Sequence, residues 1–305
     1  MMRIVECVPN FSEGRRTEVI EKIVGVAKDS PGVKLLDYSS DPDHNRSVVS
    51  LVGAPEAVEE CAFRLTEAAS LLIDLNGHKG GHPRMGAMDV VPFIPISGVT
   101  MDDCVYIARR LGERVGRELQ IPVYYYEFAA TRPERKSLAD VRRGEFEGLK
   151  AAINTPGREP DAGPGEIHPT AGAVAIGARR PLIAYNVNLN TSDLQLAKDI
   201  AKAIRASGGG FVNVRAMGLL LKDRNIAQVS MNLVNYVDTP IYRVNEFIRA
   251  EAARRGVSIL GTEIVGLLPV DALLESAAYY LQLENFERRQ ALEIRMMEGS
   301  GNDRE

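Results

Sequence analysis

Two histidines lie close together in a glycine-rich segment of the chain. The segment runs from Gly77 to Asp89 as G-H-K-G-G-H-P-R-M-G-A-M-D and contains His78 and His82. An imidazole has an unperturbed pKa of about 6.5, so it accepts or releases a proton near neutral pH. Proline disfavours helical backbone at the preceding residue, which predicts that His82, before Pro83, lies in a loop facing a cleft. The residue types alone leave two interpretations of His82 open: a group that transfers protons, or an ordinary surface histidine.

The spacing of His78 and His82 also suggests a metal site, because H-x-x-x-H on a helix places two imidazoles on one face. Gly80, Gly81 and Pro83 break a helix across this segment, and no glutamate lies between the histidines to act as a base. We therefore predict no metal here. A zinc hydrolase is the alternative, and metal analysis of the protein would test it.

Other patterns lack the residues that their chemistry requires. Gly172 to Gly177 has the G-x-x-x-x-G spacing of a phosphate loop, but Ala178 and Arg179 replace its lysine and its serine or threonine. This difference excludes an NTPase of that type.

The cysteines are far apart and fall within predicted helices and strands, which predicts buried thiols. They are Cys7, Cys61 and Cys104.

Composition places the chain among ordered globular proteins. Its 305 residues are 45% hydrophobic and 26% charged, and this length favours two packed domains. A net charge of −4 and a pI near 5.8 argue against general nucleic-acid binding. The sequence has no signal-peptide pattern, no apolar run of about 20 residues and no disulfide framework. We therefore predict a cytoplasmic protein without a membrane partner.

Hydrophobic periodicity in the first half predicts the strands and helices that would position these residues. The predicted strands are Arg3 to Val8, Val33 to Tyr38, Ser47 to Val52, Val90 to Ile96 and Val123 to Glu127. The predicted helices are one carrying Val19 to Ala27, one from Glu56 to Ile73 and one opened by a capping box of Thr100 and Asp103. The segment with His82 therefore connects a helix to a strand.

The second half repeats this order after a loop-like stretch from Asn154 to Pro169. Its predicted strands are Leu182 to Leu189, Val212 to Leu221, Ala227 to Val234 and Val257 to Leu260. Ser192 with Gln195, and Thr239 with Pro240, are predicted to open its helices, and the tail from Glu298 is expected to fray. The order β-α-β-β-α-β is the split arrangement of ferredoxin-like folds. We predict an α+β protein of two related ferredoxin-like subdomains, residues 1–178 and 179–305, with a ligand cleft between them.

Long stretches of the chain resemble the glutamate formiminotransferases. They are V-E-C-V-P-N-F-S-E-G from Val5 to Gly14, H-P-R-M-G-A-M-D-V-V-P-F-I-P from His82 to Pro95, and G-A-R-R-P-L-I-A-Y-N-V-N-L from Gly177 to Leu189. Shorter matches begin at Asn45, Ala129, Asn225 and Val265. The resemblance covers nearly the whole chain. It implies transfer of a formimino group from N-formimino-L-glutamate to the co-substrate tetrahydrofolate, in histidine degradation, by a homodimer of two-subdomain chains.

The resemblance also implies roles for individual residues. The catalytic histidine of the family falls on His82. The folate-binding segment falls on Gly163, Pro164, Gly165, Glu166, Ile167, His168, Pro169, Thr170, Ala171 and Gly172. Within it, Glu166, Ile167 and His168 depart from the pattern of the animal proteins. Those proteins carry a fused cyclodeaminase that this chain is too short to include, so a separate cyclodeaminase is an expected partner.

Glutamate and the folate tail present carboxylates, which arginine side chains bind with paired N–H groups. Arg46 and Arg84 lie inside matching motifs and are the predicted carboxylate ligands. His44 is an optional positioning residue beside them. For each arginine the alternative is a solvated surface charge.

Two other functions fit the same residues. One is glutamate formyltransfer with 5-formyl-tetrahydrofolate, whose transferred group differs from a formimino group by one heteroatom. The other is folate binding without turnover, against which the His82 loop argues. Ferredoxin-like folds also bind RNA, but the chain has no basic aromatic strand of that type, so we predict no nucleic-acid partner.

Overall fold

The computed structural model describes residues 2–297 and separates into two compact units, Met1–Arg179 and Arg180–Glu305. Each unit combines helices with one β-sheet, so the predicted α+β class is confirmed. The division lies next to the boundary predicted after residue 178. The tail from Glu298 lies outside the described residues. No helix within residues 2–297 is long and apolar enough to cross a membrane.

The first unit contains a seven-stranded sheet. Its strands are β1 (Ile4–Cys7), β2 (Asn10–Phe11), β3 (Val33–Asp41), β4 (Arg46–Gly53), β5 (Met88–Ser97), β6 (Val123–Glu127) and β7 (Val174–Ala178). Its helices are α1 (Thr17–Lys28), α2 (Pro55–Leu72), α3 (Met101–Glu118), α4 (Leu138–Val141) and α5 (Glu145–Ala152).

The strands of this sheet are ordered by two kinds of pairing. β3 pairs with β4, and β4 pairs with both β1 and β2, which also pair with β5. All of these pairings are antiparallel. β7 then extends the sheet in parallel with β5, and β6 pairs in parallel with β7. The sheet thus joins a ferredoxin-like half to a parallel extension.

Helices cover both faces of the extended sheet. α1, α2 and α3 pack on one face over the main hydrophobic core, which includes Leu65, Leu111 and Ile176. The capping box predicted at Thr100 and Asp103 is present and opens α3. A smaller cluster on residues of β6, α4 and α5 includes Tyr126, Val141 and Leu149. This second cluster anchors the short helices that follow β6, which carry residues of the site described below.

The cysteines are buried and free, as predicted: they are Cys7, Cys61 and Cys104. Burial is the main cause of the raised pKa of each thiol, and it raises the pKa of Cys104 to about 12. A thiol with a raised pKa carries little thiolate at neutral pH. These residues therefore act as core side chains rather than nucleophiles.

The second unit contains a four-stranded antiparallel sheet with the strand order β11-β8-β10-β9. Its strands are β8 (Ile183–Leu189), β9 (Val214–Leu221), β10 (Ile226–Leu233) and β11 (Ile259–Val265). Its helices are α6 (Leu194–Ile204), α7 (Ile241–Ala253), α8 (Val270–Leu281) and α9 (Leu292–Met297). The same order appears in the first unit as β5-β1-β4-β3, so the predicted ferredoxin-like repeat is confirmed.

Two predicted helix caps in the second unit were wrong by one residue. Asp193, rather than Ser192, caps α6, because its carboxylate accepts the N–H groups of Gln195 and Leu196. Pro240, predicted at the first helical position, instead has extended backbone and precedes α7. The hydroxyl of Thr239, expected to cap that helix, accepts a hydrogen bond from Asn213 at 3.3 Å.

Candidate functional site

A pocket in the first unit collects imidazole, arginine and carboxylate side chains. Its lining is Ser12, His44, Asn45, Arg46, His78, His82, Arg84 and Asp89. These residues come from the end of β2, from the turn between β3 and β4 with the start of β4, and from the segment that leads into β5. The structure thus brings together His82, Arg46 and Arg84, which the sequence singled out.

The loop that carries His82 lies against the turn between β3 and β4. A Cβ atom on Gly80 would lie 2.2 Å from the carbonyl oxygen of His44, so a larger residue does not fit there. Gly81 donates its N–H to the carbonyl of Asp43 at 3.0 Å. Glycine at position 80 is therefore required for the close approach that brings His82 beside the turn.

Asn45 joins that turn to two neighbouring segments. Its backbone is left-handed, with φ of 50°, a region that asparagine tolerates better than most residues. Its Oδ1 accepts the N–H of Gly14 at 2.9 Å, and its Nδ2 donates to the carbonyl of Lys79 at 3.1 Å. The residue is buried. These bonds fix the backbone on either side of it, where His44 and Arg46 enter the pocket.

His78 has both ring nitrogens in hydrogen bonds. Its Nδ1 accepts the Nε–H of Arg84 at 3.2 Å, so its Nε2 carries the proton donated to the carbonyl of Asn45 at 2.9 Å. Burial lowers the pKa of His78, and the charge of Arg84 lowers it further. His78 is therefore neutral and supports the loop. Among the described residues, no cluster of side chains that could hold a metal ion occurs.

His82 is half-buried in the pocket and holds no proton on its second nitrogen at neutral pH. Burial lowers its pKa to about 4, and the nearby charges of Arg46 and Arg142 contribute to this shift. The carboxylate of Asp89 opposes the shift without cancelling it. A neutral imidazole has a free lone pair, so His82 is ready to accept a proton.

Arg46 is a half-buried cation with unused hydrogen-bonding groups. Its Nη2 donates to Oδ1 of Asn10, while its buried Nε has no partner among the described residues. Burial lowers its pKa to about 10, and the charge of Arg142 adds to that effect. A buried N–H without an acceptor is costly, so this side chain is suited to bind an anion that enters the pocket.

Asp89 connects the His82 loop to Arg142. Its Oδ1 accepts the N–H of Met85 at 2.8 Å, and its Oδ2 accepts a hydrogen bond from Nη2 of Arg142. Asp89 is almost fully buried. The ion pair brings Arg142, the residue directly after α4, into the electrostatic surroundings of His82.

Arg84 is bound by protein groups on all three guanidinium nitrogens. Its Nη1 donates to Glu145 and Glu147 at 2.8 Å each, and its Nη2 donates to Glu147 at 2.6 Å. Its Nε donates to His78. This arrangement ties the segment after His82 to the start of α5 and leaves little of Arg84 for a ligand.

His44 lies at the mouth of the pocket. Its ring meets that of His82 edge to face, with 6.1 Å between the centroids. Its Nδ1 donates to the carboxylate of Asp41, which orients the imidazole. His44 is exposed, so it is placed to contact a ligand that approaches His82 from solvent.

The C-terminal part of the expected folate segment is bonded to the segment around His82. The carbonyl of Ala171 accepts the N–H of Ala87 at 2.8 Å, and Gly172 forms a β-bridge with Gly86. Gly172 has φ of 72°, and a Cβ there would lie 2.3 Å from the carbonyl oxygen of Met85. Glycine is thus required where the two stretches meet.

The N-terminal part of that segment contacts other elements. Gly163 has φ of 83° and packs on Gly116 of α3, and Ile167 packs against the hydrophobic core. Gly165, Glu166 and Pro169 are exposed, whereas Pro164, His168 and Thr170 are half-buried. Nδ1 of His168 accepts the N–H of Ala171 at 3.0 Å, so this histidine stabilises its own turn.

Sequence reasoning missed Asp89 and Arg142. A signal existed for Asp89, because it closes the same motif that begins at His82. No signal existed for Arg142, which follows a four-residue helix far along the chain and reaches the site only through the tertiary fold.

Each of the two units matches a known protein family. The family described as "Formiminotransferase domain, N-terminal subdomain" matches residues 4–179, and the one described as "Formiminotransferase domain" matches residues 184–297. These ranges follow the two structural units.

Full-length relatives agree with this result. The chain is 52% identical to a glutamate formimidoyltransferase of Streptococcus pyogenes serotype M1, over 97% of this chain and 100% of that protein. It is 50% identical to a protein of the same name from Thermoplasma acidophilum, over 99% of each. It is 44% identical to a formimidoyltransferase-cyclodeaminase of Rattus norvegicus, over 93% of this chain and 53% of that longer protein.

Proposed function

The chain belongs to the formiminotransferase domain family, and from this premise we propose that it is a glutamate formimidoyltransferase. It moves the formimino group of N-formimino-L-glutamate to N5 of tetrahydrofolate and yields 5-formimino-tetrahydrofolate and L-glutamate. The observation that carries the proposal is the neutral, half-buried His82 beside the incompletely bonded Arg46, in a chain 52% identical to a protein of that name along nearly its whole length.

His82 moves one proton in this reaction. The transfer forms a bond between N5 of tetrahydrofolate and the formimino carbon and breaks the bond from that carbon to the glutamate nitrogen. His82 takes the proton that leaves N5 and gives it to the departing nitrogen, which becomes the amine of glutamate. One imidazole thus acts first as base and then as acid, and positioned proton transfer contributes roughly 10²–10⁴ to the rate.

The charge state of His82 suits the donor. A formimino group attached to nitrogen is an amidine, a strong base that carries a positive charge near neutral pH. A protonated imidazole beside it would repel that charge, whereas the lowered pKa of His82 keeps the ring neutral. The same neutral ring has the lone pair that the first proton transfer requires.

The two predicted arginines take different roles in this account. Arg46 is the stronger candidate for a substrate carboxylate, because its buried Nε has no protein acceptor. Arg84 holds Glu145 and Glu147, and we assign it to positioning the loop instead. Both arginines remain inside the pocket lining.

Tetrahydrofolate is the co-substrate of this reaction, and we propose that residues 163–172 contribute to its binding. Support comes from the resemblance of the segment and from its bonds to Gly86 and Ala87, close to His82 in the chain. The cleft between subdomains, the homodimer, the separate cyclodeaminase and the cytoplasmic location remain predictions. The second activity in the name of the rat relative belongs to that longer protein.

An assay with purified protein tests the proposal. Tetrahydrofolate is supplied with N-formimino-L-glutamate, and 5-formimino-tetrahydrofolate is followed; a parallel reaction contains N-formyl-L-glutamate. The proposal predicts turnover with the formimino donor and a rate at least tenfold lower with the formyl donor. Preference for the formyl donor would favour the formyltransferase alternative, and folate binding without turnover of either donor would favour a carrier.

A further inference from the structure

We propose that Arg142 and Arg46 together form the binding site for the α-carboxylate of the amino-acid donor. This inference rests on the proposed function and names a substrate subsite within it. Arg142 is the new element, because neither its sequence context nor the pocket lining identifies it.

The first argument is unused hydrogen-bonding capacity. A guanidinium has five N–H donors, and the contacts described for these side chains use few of them. Nη2 of Arg46 donates to Asn10, and Nη2 of Arg142 donates to Asp89. The Nε atoms of both arginines are buried and have no acceptor among the described residues. An incoming carboxylate would supply acceptors that the fold leaves out.

The second argument is charge. Arg46 and Arg142 are close enough that each contributes to the electrostatic field at His82, and Arg142 also acts on Arg46. Asp89 is the carboxylate common to their surroundings, and it is already bonded to Met85 and Arg142. Asp41, whose charge also acts on Arg46, is exposed and is already bonded to His44. Two partly buried cations beside a single buried carboxylate therefore leave excess positive charge, which favours an anion.

The third argument identifies which anion. In N-formimino-L-glutamate the α-carboxylate is attached to the carbon that carries the reacting nitrogen. A donor whose formimino group contacts His82 therefore holds its α-carboxylate close to that imidazole. The γ-carboxylate lies further along the side chain. The carboxylates of tetrahydrofolate lie beyond the aminobenzoyl group and far from N5. A cationic site next to His82 consequently fits the α-carboxylate of the donor.

The test compares donors that lack one carboxylate at a time. N-formimino-4-aminobutyrate lacks the α-carboxylate, and N-formimino-L-2-aminobutyrate lacks the γ-carboxylate. For the wild-type protein we expect loss of the α-carboxylate to lower kcat/KM on the order of 10²-fold, because a buried charge pair loses one partner. If instead the γ-carboxylate alone matters for kcat/KM, the assignment is overturned.

Variants of Arg142, assayed with the same donors, test whether this side chain binds the α-carboxylate. Arg142→Met should lower kcat/KM about 10²-fold more for the intact donor than for N-formimino-4-aminobutyrate, because any loss caused by unpairing Asp89 falls on both donors. The KM for tetrahydrofolate should stay within about twofold of the wild-type value. Arg142→Lys, which keeps a cation for Asp89, should fall between Met and wild type. Equal losses with both donors, or a raised KM for tetrahydrofolate, would contradict the inference.

Controls separate this inference from the proposed function. Arg143→Met removes a neighbouring, exposed arginine that pairs with Asp140, and it should leave both donors unaffected. Binding of N-formyl-L-glutamate, measured by calorimetry, needs no turnover and should weaken on the order of 10²-fold in Arg142→Met. Absent turnover with binding that depends on Arg142 would reject the proposed reaction alone. Turnover with binding independent of Arg142 would reject the carboxylate site alone.

Discussion

The carbonyl of Asn45 accepts a hydrogen bond from Nε2 of His78 at 2.9 Å. Through this bond and its side-chain amide, Asn45 holds the chain at Gly14, Lys79 and His78 in one arrangement. His44 and Arg46, its sequence neighbours, enter the pocket on either side. Asn45 thus fixes the backbone that carries His44 and Arg46, two other residues of the pocket lining.

Replacement of Asn45 by glycine tests this role. Glycine tolerates the left-handed backbone but loses both side-chain hydrogen bonds, so the free energy of unfolding should fall by about 1–3 kcal/mol. Because a small misplacement of catalytic groups costs on the order of 10² in rate, kcat should fall by about that factor while KM for tetrahydrofolate changes little. Steady-state kinetics and thermal unfolding of the variant measure both effects.

A matched control exists in the second unit. Asn225 has φ of 49° in the turn between β9 and β10, so Asn225→Gly makes the same chemical change at a residue outside the pocket lining. It should leave kcat unchanged. A similar loss of kcat in both variants would show that the effect of Asn45 is not specific to the site.

Replacement of Arg84 distinguishes a role in binding the donor from a role in positioning the His82 loop. If its ion pairs with Glu145 and Glu147 hold the loop, Arg84→Met should lower kcat about tenfold or more and leave KM for N-formimino-L-glutamate within about twofold. Arg132→Met, which breaks an ion pair with Glu159, is the control and should behave as wild type. A raised KM for the donor with unchanged kcat would restore Arg84 as a carboxylate ligand.

The pH dependence of kcat/KM should follow the state of His82. Its pKa is lowered to about 4, so the neutral, active form persists as pH falls and is lost only near that value. We expect kcat/KM to be flat between about pH 8 and 5 and to decline below that range. Arg46→Met removes a charge that lowers the pKa of His82, so its decline should begin at higher pH. NMR titration of the His82 imidazole should give a higher pKa in Arg46→Met than in the wild-type protein. An equal pKa in the two proteins would contradict this prediction.

Much of the fold follows from local sequence, because amphipathic helices and apolar strands carry their own periodicity. β6 was predicted with its observed bounds, Val123–Glu127, and the cap of α3 was identified from Thr100 and Asp103. β7 was missed. Its sequence, V-A-I-G-A, has no alternation and contains small residues of low strand propensity. It forms a strand because β5 and β6 flank it and bury it completely.

Part of the site could likewise be predicted from local sequence, whereas the rest depends on tertiary packing. The motif beginning at His82 and the arginine at position 46 were recognisable in the sequence, and the pocket contains both. The low pKa of His82 depends on burial and on two arginines from separate parts of the chain. Arg142 arrives through the packing of α4 and its bond to Asp89, which no local pattern encodes.

The central claim is that His82 transfers the proton, and His82→Asn tests it most directly. Single-turnover rates with N-formimino-L-glutamate and tetrahydrofolate are measured beside the equilibrium binding of tetrahydrofolate. We predict a rate lower by roughly 10²–10⁴ and a Kd for tetrahydrofolate within about threefold of the wild-type value. A variant that keeps nearly the wild-type rate would contradict the account and remove His82 from the reaction.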